Sequence, residues 1–112
     1  MFINLTPHPI CIRPDLGVEI NLNPDPRGPA RVASVNPGFV RHVDGVAVKG
    51  PDTFGEVNGL PDPEPGVYYI VSALVGGAVR RPDVLTLGTG PDDGAIRDNG
   101  RIVAVTCLKF TR

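Results

Sequence analysis

The chain has 112 residues, with 11 lysines and arginines against 12 aspartates and glutamates, so its formal net charge is −1. This near-neutral balance gives no electrostatic footprint for nucleic acid or for an anionic membrane. No apolar run approaches the ~20 residues of a membrane-spanning helix, and the N-terminus lacks the regions of a signal peptide. We therefore expect a single cytoplasmic domain over residues 1–112 that binds neither nucleic acid nor membrane.

Glycine and proline are abundant, with 14 and 13 copies, yet 41% of the residues are apolar. This combination excludes simple disorder and favours short strands joined by tight turns. The chain has four phenylalanines, two tyrosines and no tryptophan, so its core must consist largely of valine, isoleucine and leucine. Because such a thin core often gains burial by self-association, we expect a homo-oligomer.

In the first half of the chain we predict strands at residues 10–13, 18–22, 30–35, 39–43, 46–49 and 53–57. The turn Pro14-Asp15-Leu16-Gly17 joins the first two into a hairpin. Residues 23–29 contain three prolines and cannot continue a strand. The dipeptide Asp44-Gly45 is the strongest hairpin signal in the chain.

In the second half we predict strands at residues 67–71, 84–87, 95–97 and 101–110, and a helix at residues 73–81. The apolar runs at 67–71 and 102–108 are typical of central strands buried on both faces. Ser72 is placed to cap the helix and Pro82 to end it. These elements predict an α+β fold: a small, mostly antiparallel β-sheet or a partly closed barrel with one short helix.

The opening Asn4-Leu5-Thr6-Pro7-His8-Pro9 places polar side chains on a backbone that two prolines restrict. If the segment is extended, Asn4, Thr6 and His8 share one face. An amide, a hydroxyl and an imidazole on one face could bind a polar ligand such as a nucleotide. The alternative is that Asn4 and Thr6 satisfy backbone groups at a strand end.

Three further side chains are candidates for ligand contact. The adjacent residues Tyr68 and Tyr69 must face opposite sides of the sheet, and Tyr69 could stack on a base. Ser72 starts the helix, where it could cap the backbone or contact an anion. It lacks the neighbouring glycines of a G-x-S-x-G nucleophile elbow. Arg97 beside a hairpin turn could hold a phosphate or pair across the strands.

Residues 88–94 superficially resemble a glycine-rich phosphate loop, but no helix follows them and Asp92 and Asp93 would repel phosphate. We therefore expect a flexible loop.

Cys11 and Cys107 lie in apolar strand-like contexts and are expected to be buried free thiols. The histidines and cysteines lack the paired spacing of a zinc site, and we expect no metal, no cofactor and no catalytic residue.

Several blocks of the chain look familiar: Asn4-Leu5-Thr6-Pro7-His8-Pro9, Ala30-Arg31-Val32, Gly55-Glu56-Val57-Asn58-Gly59-Leu60-Pro61, Tyr69-Ile70-Val71-Ser72, Arg81-Pro82-Asp83-Val84-Leu85, and Arg97-Asp98 with Gly100-Arg101-Ile102. In these blocks the chain resembles, over nearly its full length, a group of small, largely uncharacterised proteins of phages and prophages. The resemblance implies no settled chemistry. Phage proteins of this size include sponges, oligomers that sequester nucleotide-derived immune signals without cleaving them, and this second likeness is one of size and setting.

Our first hypothesis is therefore a non-enzymatic phage protein that sequesters a nucleotide-derived immune signal in the host cytoplasm. Its expected ligand contacts are Asn4, Thr6, His8, Tyr69, Ser72 and Arg97. The alternative is a structural or protein-interaction module of a phage, such as a minor virion or assembly component. A third hypothesis is a small hydrolase that acts through His8, with or without a metal.

Overall fold

The computed structural model describes residues 1–112 and contains twelve short strands and one helix. In chain order the strands are β1 (Phe2–Asn4), β2 (Ile10–Ile12), β3 (Ile20–Leu22), β4 (Arg31–Val35), β5 (Phe39–Val43), β6 (Val46–Lys49), β7 (Thr53–Asn58), β8 (Tyr68–Ile70), β9 (Val84–Leu87), β10 (Ile96–Asp98), β11 (Arg101–Ala104) and β12 (Leu108–Phe110). The helix, α1 (Ala73–Gly77), lies between β8 and β9. The predicted α+β class with one short helix is confirmed.

A four-stranded sheet in the order β1-β8-β9-β12 forms the centre of the fold. The pairs β1–β8 and β8–β9 are parallel, and only β9–β12 is antiparallel. The four ladders outside this sheet are two-stranded and antiparallel, and no sheet closes into a barrel. The mostly antiparallel character holds for the chain as a whole. The central sheet differs because its strands can pair in parallel across a long connection: six strands lie between β1 and β8.

The strand predicted at 101–110 is divided between two ladders. β11 pairs with β10 outside the central sheet, and β12 pairs with β9 inside it. Between them Val105 forms a parallel bridge with Ile12, where the Arg13 N–H donates to the Val105 carbonyl over 2.8 Å. The predicted central position is therefore wrong for both parts: β11 lies outside the central sheet and β12 forms its edge, because the chain leaves its hairpin at Val105 to reach β9.

Apolar side chains pack on both faces of the central sheet. Adjacent residues of a strand point to opposite faces, and Tyr69 and Ile70 accordingly join different clusters. The first-face cluster contains Leu5, Ala30, Tyr69, Val71, Val75, Val79 and Val84. The second-face cluster contains Ile10, Ile12, Ile70 and Val105. Burying each large apolar side chain contributes about 1.5–3 kcal/mol, so the sheet is stabilised from both sides.

The helix begins where predicted and ends earlier. The Ser72 Oγ accepts a hydrogen bond from the Val75 N–H over 3.3 Å, which confirms the predicted cap. Helix α1 stops at Gly77 rather than near Pro82, after two consecutive glycines that each cost about 1 kcal/mol in a helix. With five residues it is too short to cross a membrane, and the chain has no other helix.

Two hairpin turns have the backbone conformation that their residues predict. Asp44 and Gly45 have φ values of 51° and 81°, and Asn99 and Gly100 have values of 51° and 79°. A two-residue turn with positive φ at both central positions matches the twist of the flanking strands. The hairpins β5–β6 and β10–β11 are thus specified locally.

Residues 31–58 form a single long β-ribbon, which we call the arm. At its base β4 pairs with β7, and at its tip β5 pairs with β6. Between the two ladders the Asn36 Nδ2 donates to the Gly50 carbonyl over 3.0 Å. No residue of the arm is fully buried. The radius of gyration is 16.8 Å, against about 13 Å for a compact chain of this length, so the arm projects from the rest.

An ion pair anchors the segment between α1 and β9. The Arg81 Nη2 lies 2.6 Å from the Asp83 Oδ2, and its Nη1 donates to the Pro61 carbonyl over 3.0 Å. Arg81 lies outside the helix, although the helix was predicted at residues 73–81, because α1 has already ended at Gly77. The hydrogen bond from Arg81 holds the pKa of Asp83 below its ordinary value of 3.8.

We predict that this pair makes stability fall in acid. A carboxyl with a depressed folded-state pKa stabilises the fold above its unfolded pKa, and that contribution is lost as the pH falls through the folded pKa. Urea denaturation of Asp83→Asn between pH 2 and pH 7 should show a weaker dependence on pH than the wild type. Asp15→Asn, in an exposed turn without an ion pair, is the control. Identical pH profiles for wild type and Asp83→Asn would contradict the assignment.

Two adjacent helix glycines provide a matched test of packing. A Cβ on Gly76 would overlap the γ-methyl of Thr86, whereas a Cβ on Gly77 would meet nothing within 4 Å. We expect Gly76→Ala to destabilise the fold by about 1–3 kcal/mol. Gly77→Ala should be neutral or stabilise it by up to about 1 kcal/mol. Chemical denaturation measures both, and adding Thr86→Ser should rescue Gly76→Ala; equal effects of the two alanines would refute this packing.

Candidate functional site

The side chain of Asn4 is the centre of the opening turn. Its Nδ2 donates to the carbonyls of His8, over 2.8 Å, and Leu22, over 3.1 Å. Its Oδ1 accepts from the Thr6 N–H over 2.9 Å and from the Thr6 hydroxyl over 2.7 Å. An asparagine amide has two donor hydrogens and two acceptor lone pairs. All four are used within the protein, and the side chain is 2% exposed.

The remaining residues of the turn face progressively outward. Thr6 is buried, and its hydroxyl lies between the Asn4 Oδ1 and the His8 carbonyl. His8 is exposed, and its ring makes no hydrogen bond within the chain. The three residues do not share one face, because the chain turns after Asn4 instead of continuing as a strand. The imidazole is therefore the polar group of this turn that stays free for a ligand.

Three parallel strands end at the same edge of the central sheet. β1 leads into Thr6 and His8, β8 leads into Ser72, and β9 leads into Thr89. The Leu5 N–H donates to the Ile70 carbonyl over 2.8 Å, which continues the β1–β8 pairing past the strand end. In open sheets with parallel strands, ligands commonly bind outside the carboxyl ends of the strands. This edge is therefore where a site is expected on topological grounds.

A cavity of about 340 Å³ occupies that edge. It is lined by Thr6, Pro7, His8, Val71, Ser72, Ala73, Leu87 and Thr89. We call it the edge cavity. Two blocks singled out from the sequence, the opening turn and Tyr69-Ile70-Val71-Ser72, thus meet at one place. The lining contains no lysine, arginine, aspartate or glutamate.

Three side chains of the edge cavity have hydrogen-bonding capacity to spare. The Ser72 Oγ accepts from the Val75 N–H, and its own hydrogen has no acceptor in the chain. The Thr89 hydroxyl and the His8 ring take part in none of the side-chain hydrogen bonds of the protein. Two hydroxyls and one imidazole beside an apolar floor of Val71 and Leu87 can bind a small ligand with hydroxyl or amide groups.

The loop that carries Thr89 is held in place by Asp93. The Asp93 Oδ2 accepts from the Gly90 N–H over 2.7 Å and lies 2.6 Å from the Lys109 Nζ. Thr106 donates to the Asp93 carbonyl over 2.9 Å. The Lys109 hydrogen bond, followed by the Gly90 N–H, lowers the pKa of Asp93. Residues 88–94 are therefore tied to β12, although the sequence predicted a flexible loop.

The structure brings three of the six predicted ligand residues to the edge cavity, namely Thr6, His8 and Ser72. Asn4 lies behind the turn with its amide fully used. Tyr69 is 1% exposed in the first-face cluster, where its hydroxyl donates to the Asp62 carbonyl over 3.2 Å. It has no free face on which a base could stack. Arg97 is exposed on β10 and reaches only the Gly100 carbonyl of its own hairpin.

The histidines, cysteines and carboxylates do not gather into a metal site. No three of them lie close enough to hold an ion together. Cys11 and Cys107 are free thiols, and both are half-buried rather than fully buried as predicted. Burial, with a smaller contribution from Glu19, raises the pKa of Cys11. The protonated thiol is thereby favoured over the reactive thiolate.

We predict that the amide of Asn4 is essential to the fold. Asn4→Ala leaves the Thr6 N–H without its acceptor and removes one donor each from the His8 and Leu22 carbonyls, and should cost on the order of 2–4 kcal/mol. Asn21→Ala is the matched control, because Asn21 is exposed and donates only to Glu19. Its cost should stay within about 0.5 kcal/mol. Urea denaturation measures both, and similar costs for the two variants would show that the Asn4 network does not hold the turn.

Comparison of the chain with protein-family models, with curated proteins and with solved structures gave no match. The resemblance to small phage proteins therefore stays a prediction. The function proposed for the chain rests on the edge cavity and the arm.

Proposed function

We propose that the chain is a non-enzymatic binder of a small, nucleotide-derived ligand, held in the edge cavity. The observation that carries this proposal is the convergence of three parallel strand ends on one cavity. Their residues contribute the imidazole of His8 and the hydroxyls of Ser72 and Thr89. Asn4 fixes the turn of His8 and Asp93 fixes the loop of Thr89, and groups held in place before binding lower its ordering cost.

The chemistry of the edge cavity favours the nucleoside part of such a ligand. Its volume of about 340 Å³ lies at the lower end of small-molecule sites. Ser72 can donate to a ribose or base oxygen, and His8 can bond to or stack on a ring. No cationic side chain lines the cavity, so phosphate groups would point toward solvent. A neutral or weakly charged ligand therefore suits one chain better than a polyphosphate.

Two features support binding without turnover. The Ser72 oxygen is engaged as the cap of α1, which suits it poorly as a nucleophile. No carboxylate orients the ring of His8, whereas a general base normally has such a partner. Sequestration of an immune signal in a host cytoplasm rests on the resemblance to phage proteins and remains part of the proposal.

The arm favours a second candidate function, a structural or protein-interaction module. Its large apolar side chains are exposed along both ladders. Surfaces of this kind commonly mark contacts between proteins. The two functions are compatible, since the arm and the edge cavity are separate parts of the chain.

The ligand proposal predicts a small molecule that depends on His8. The chain would be expressed in cells with active nucleotide-based immune signalling and examined by native mass spectrometry, with release and identification of bound molecules. We expect an intact nucleoside-containing ligand, and about 5- to 10-fold weaker binding to His8→Ala, because one hydrogen bond is worth about 1 kcal/mol.

The matched control is His42→Ala, which removes the only other histidine, on the arm and outside the cavity. Arg97→Ala should also leave the affinity unchanged. Absence of any ligand, or equal losses in His8→Ala and His42→Ala, would overturn the proposed site. Recovery of a cleaved nucleotide would show that the protein is an enzyme.

A further inference from the structure

The arm exposes an unusual amount of apolar surface for its size. Its exposed large apolar side chains are Val35, Phe39, Val40, Val43, Val46, Val48 and Phe54. Directly opposed residues of an antiparallel ladder share a face, so the pairs Val43–Val46 and Arg41–Val48 place three valines and the aliphatic stem of Arg41 on one side of the tip. Val46 is 64% exposed. The tip therefore carries an apolar stripe in contact with water.

The arm has little support within its own chain. Only Val32 and Val57, at its base, pack against the first-face cluster. An isolated two-stranded ribbon is marginally stable in water. Neither ladder of the arm pairs with a third strand. The ribbon thus has both edges and its apolar stripe available for another molecule.

An apolar groove of about 350 Å³ lies elsewhere on the molecule, where the β2–β3 hairpin leaves part of the second face of the central sheet uncovered. Its walls include Phe2, Ile20, Tyr68, Leu85, Leu108 and Phe110. None of the residues that line it is charged. Phe110, on the edge strand β12, is 67% exposed. We call it the second-face groove.

The arm and the second-face groove belong to opposite faces of the central sheet. The arm is rooted in the first-face cluster through Val32 and Val57, whereas Phe2 and Leu108 pack with the second-face cluster. No residue of the arm lines the groove of its own chain, and the arm leaves the sheet from the opposite face. Any contact between these two apolar surfaces must therefore join different molecules.

We propose that the tip of the arm docks in the second-face groove of a second copy of this chain. The match is one of chemistry and shape: a protruding apolar stripe and an uncharged apolar concavity, each unpartnered in the single chain. The seven apolar side chains of the arm are 40–64% exposed, which makes the arm a patch of the kind that marks protein contacts. A standard interface buries ~800 Å² per partner, so we expect a reciprocal exchange, which buries an arm and a groove on both copies, rather than a single junction.

This contact is head-to-tail at each junction, because the two surfaces differ. Such a junction closes into a dimer when two copies exchange arms, and into a ring or filament otherwise. The inference is independent of the ligand proposal, since it uses no residue of the edge cavity.

Sedimentation velocity of the full chain from 1 to 200 µM tests the proposal. The wild type should self-associate. The arm variant Val43→Ser/Val46→Ser and the groove variant Phe110→Ser should each be monomeric at concentrations at least tenfold higher. Circular dichroism confirms that both variants are folded, and Leu16→Ser, an exposed apolar residue in the β2–β3 turn, is the control that should associate like the wild type.

Mixing the two variants tests whether the arm of one copy binds the second-face groove of another. The arm variant keeps its groove and the groove variant keeps its arm, so an equimolar mixture should form a hetero-pair with one intact junction. A monomeric wild type at 200 µM would overturn the proposal. Undiminished association of Phe110→Ser, which would point to arm-to-arm contact, would overturn it as well, and so would failure of the mixture to pair.

Discussion

The amide of Asn4 is the interaction on which the rest of the site depends. It is buried at the end of β1, and its four hydrogen bonds join the opening turn to the Leu22 carbonyl of β3. Because every polar atom is paired inside the protein, the turn has one low-energy arrangement, and any other would leave buried groups unsatisfied. That arrangement directs His8 outward over the strand ends. A structural asparagine thus determines where the free imidazole lies.

Features encoded by neighbouring residues were predictable from the sequence. The turns at Asp44-Gly45 and Asn99-Gly100 need positive φ at both central positions, and the Ser72 cap needs only the first turn of its helix. The parallel centre was not predictable, because the alternation within a strand does not reveal the direction of its partner. The common face predicted for Asn4, Thr6 and His8 failed for a related reason: it assumed an extended chain, whereas the Asn4 hydrogen bonds turn it.

Contacts between distant segments account for what the sequence missed. Thr89 reaches the edge cavity because Asp93 pairs with Lys109 on β12, a partner that no local pattern indicates. In the arm, the lack of such distant contacts was what the sequence did not reveal. Its ladders were predicted strand by strand, but the same alternation suits a ribbon packed on a core and a ribbon that projects into water. Only tertiary structure distinguishes the two, and it leaves the valines of the tip uncovered.

The central claim is that three parallel strand ends build a ligand site. The most direct test is a titration of ¹⁵N-labelled protein with the four nucleoside 5′-monophosphates, followed by two-dimensional NMR. The account predicts shifts of the amides of Thr6 and His8 and of those at residues 72–73 and 87–89 with at least one of the four, while the arm and residues 96–104 stay unchanged. Shifts confined to the arm or to the β10–β11 hairpin, or no shifts with any of the four at millimolar concentration, would contradict it.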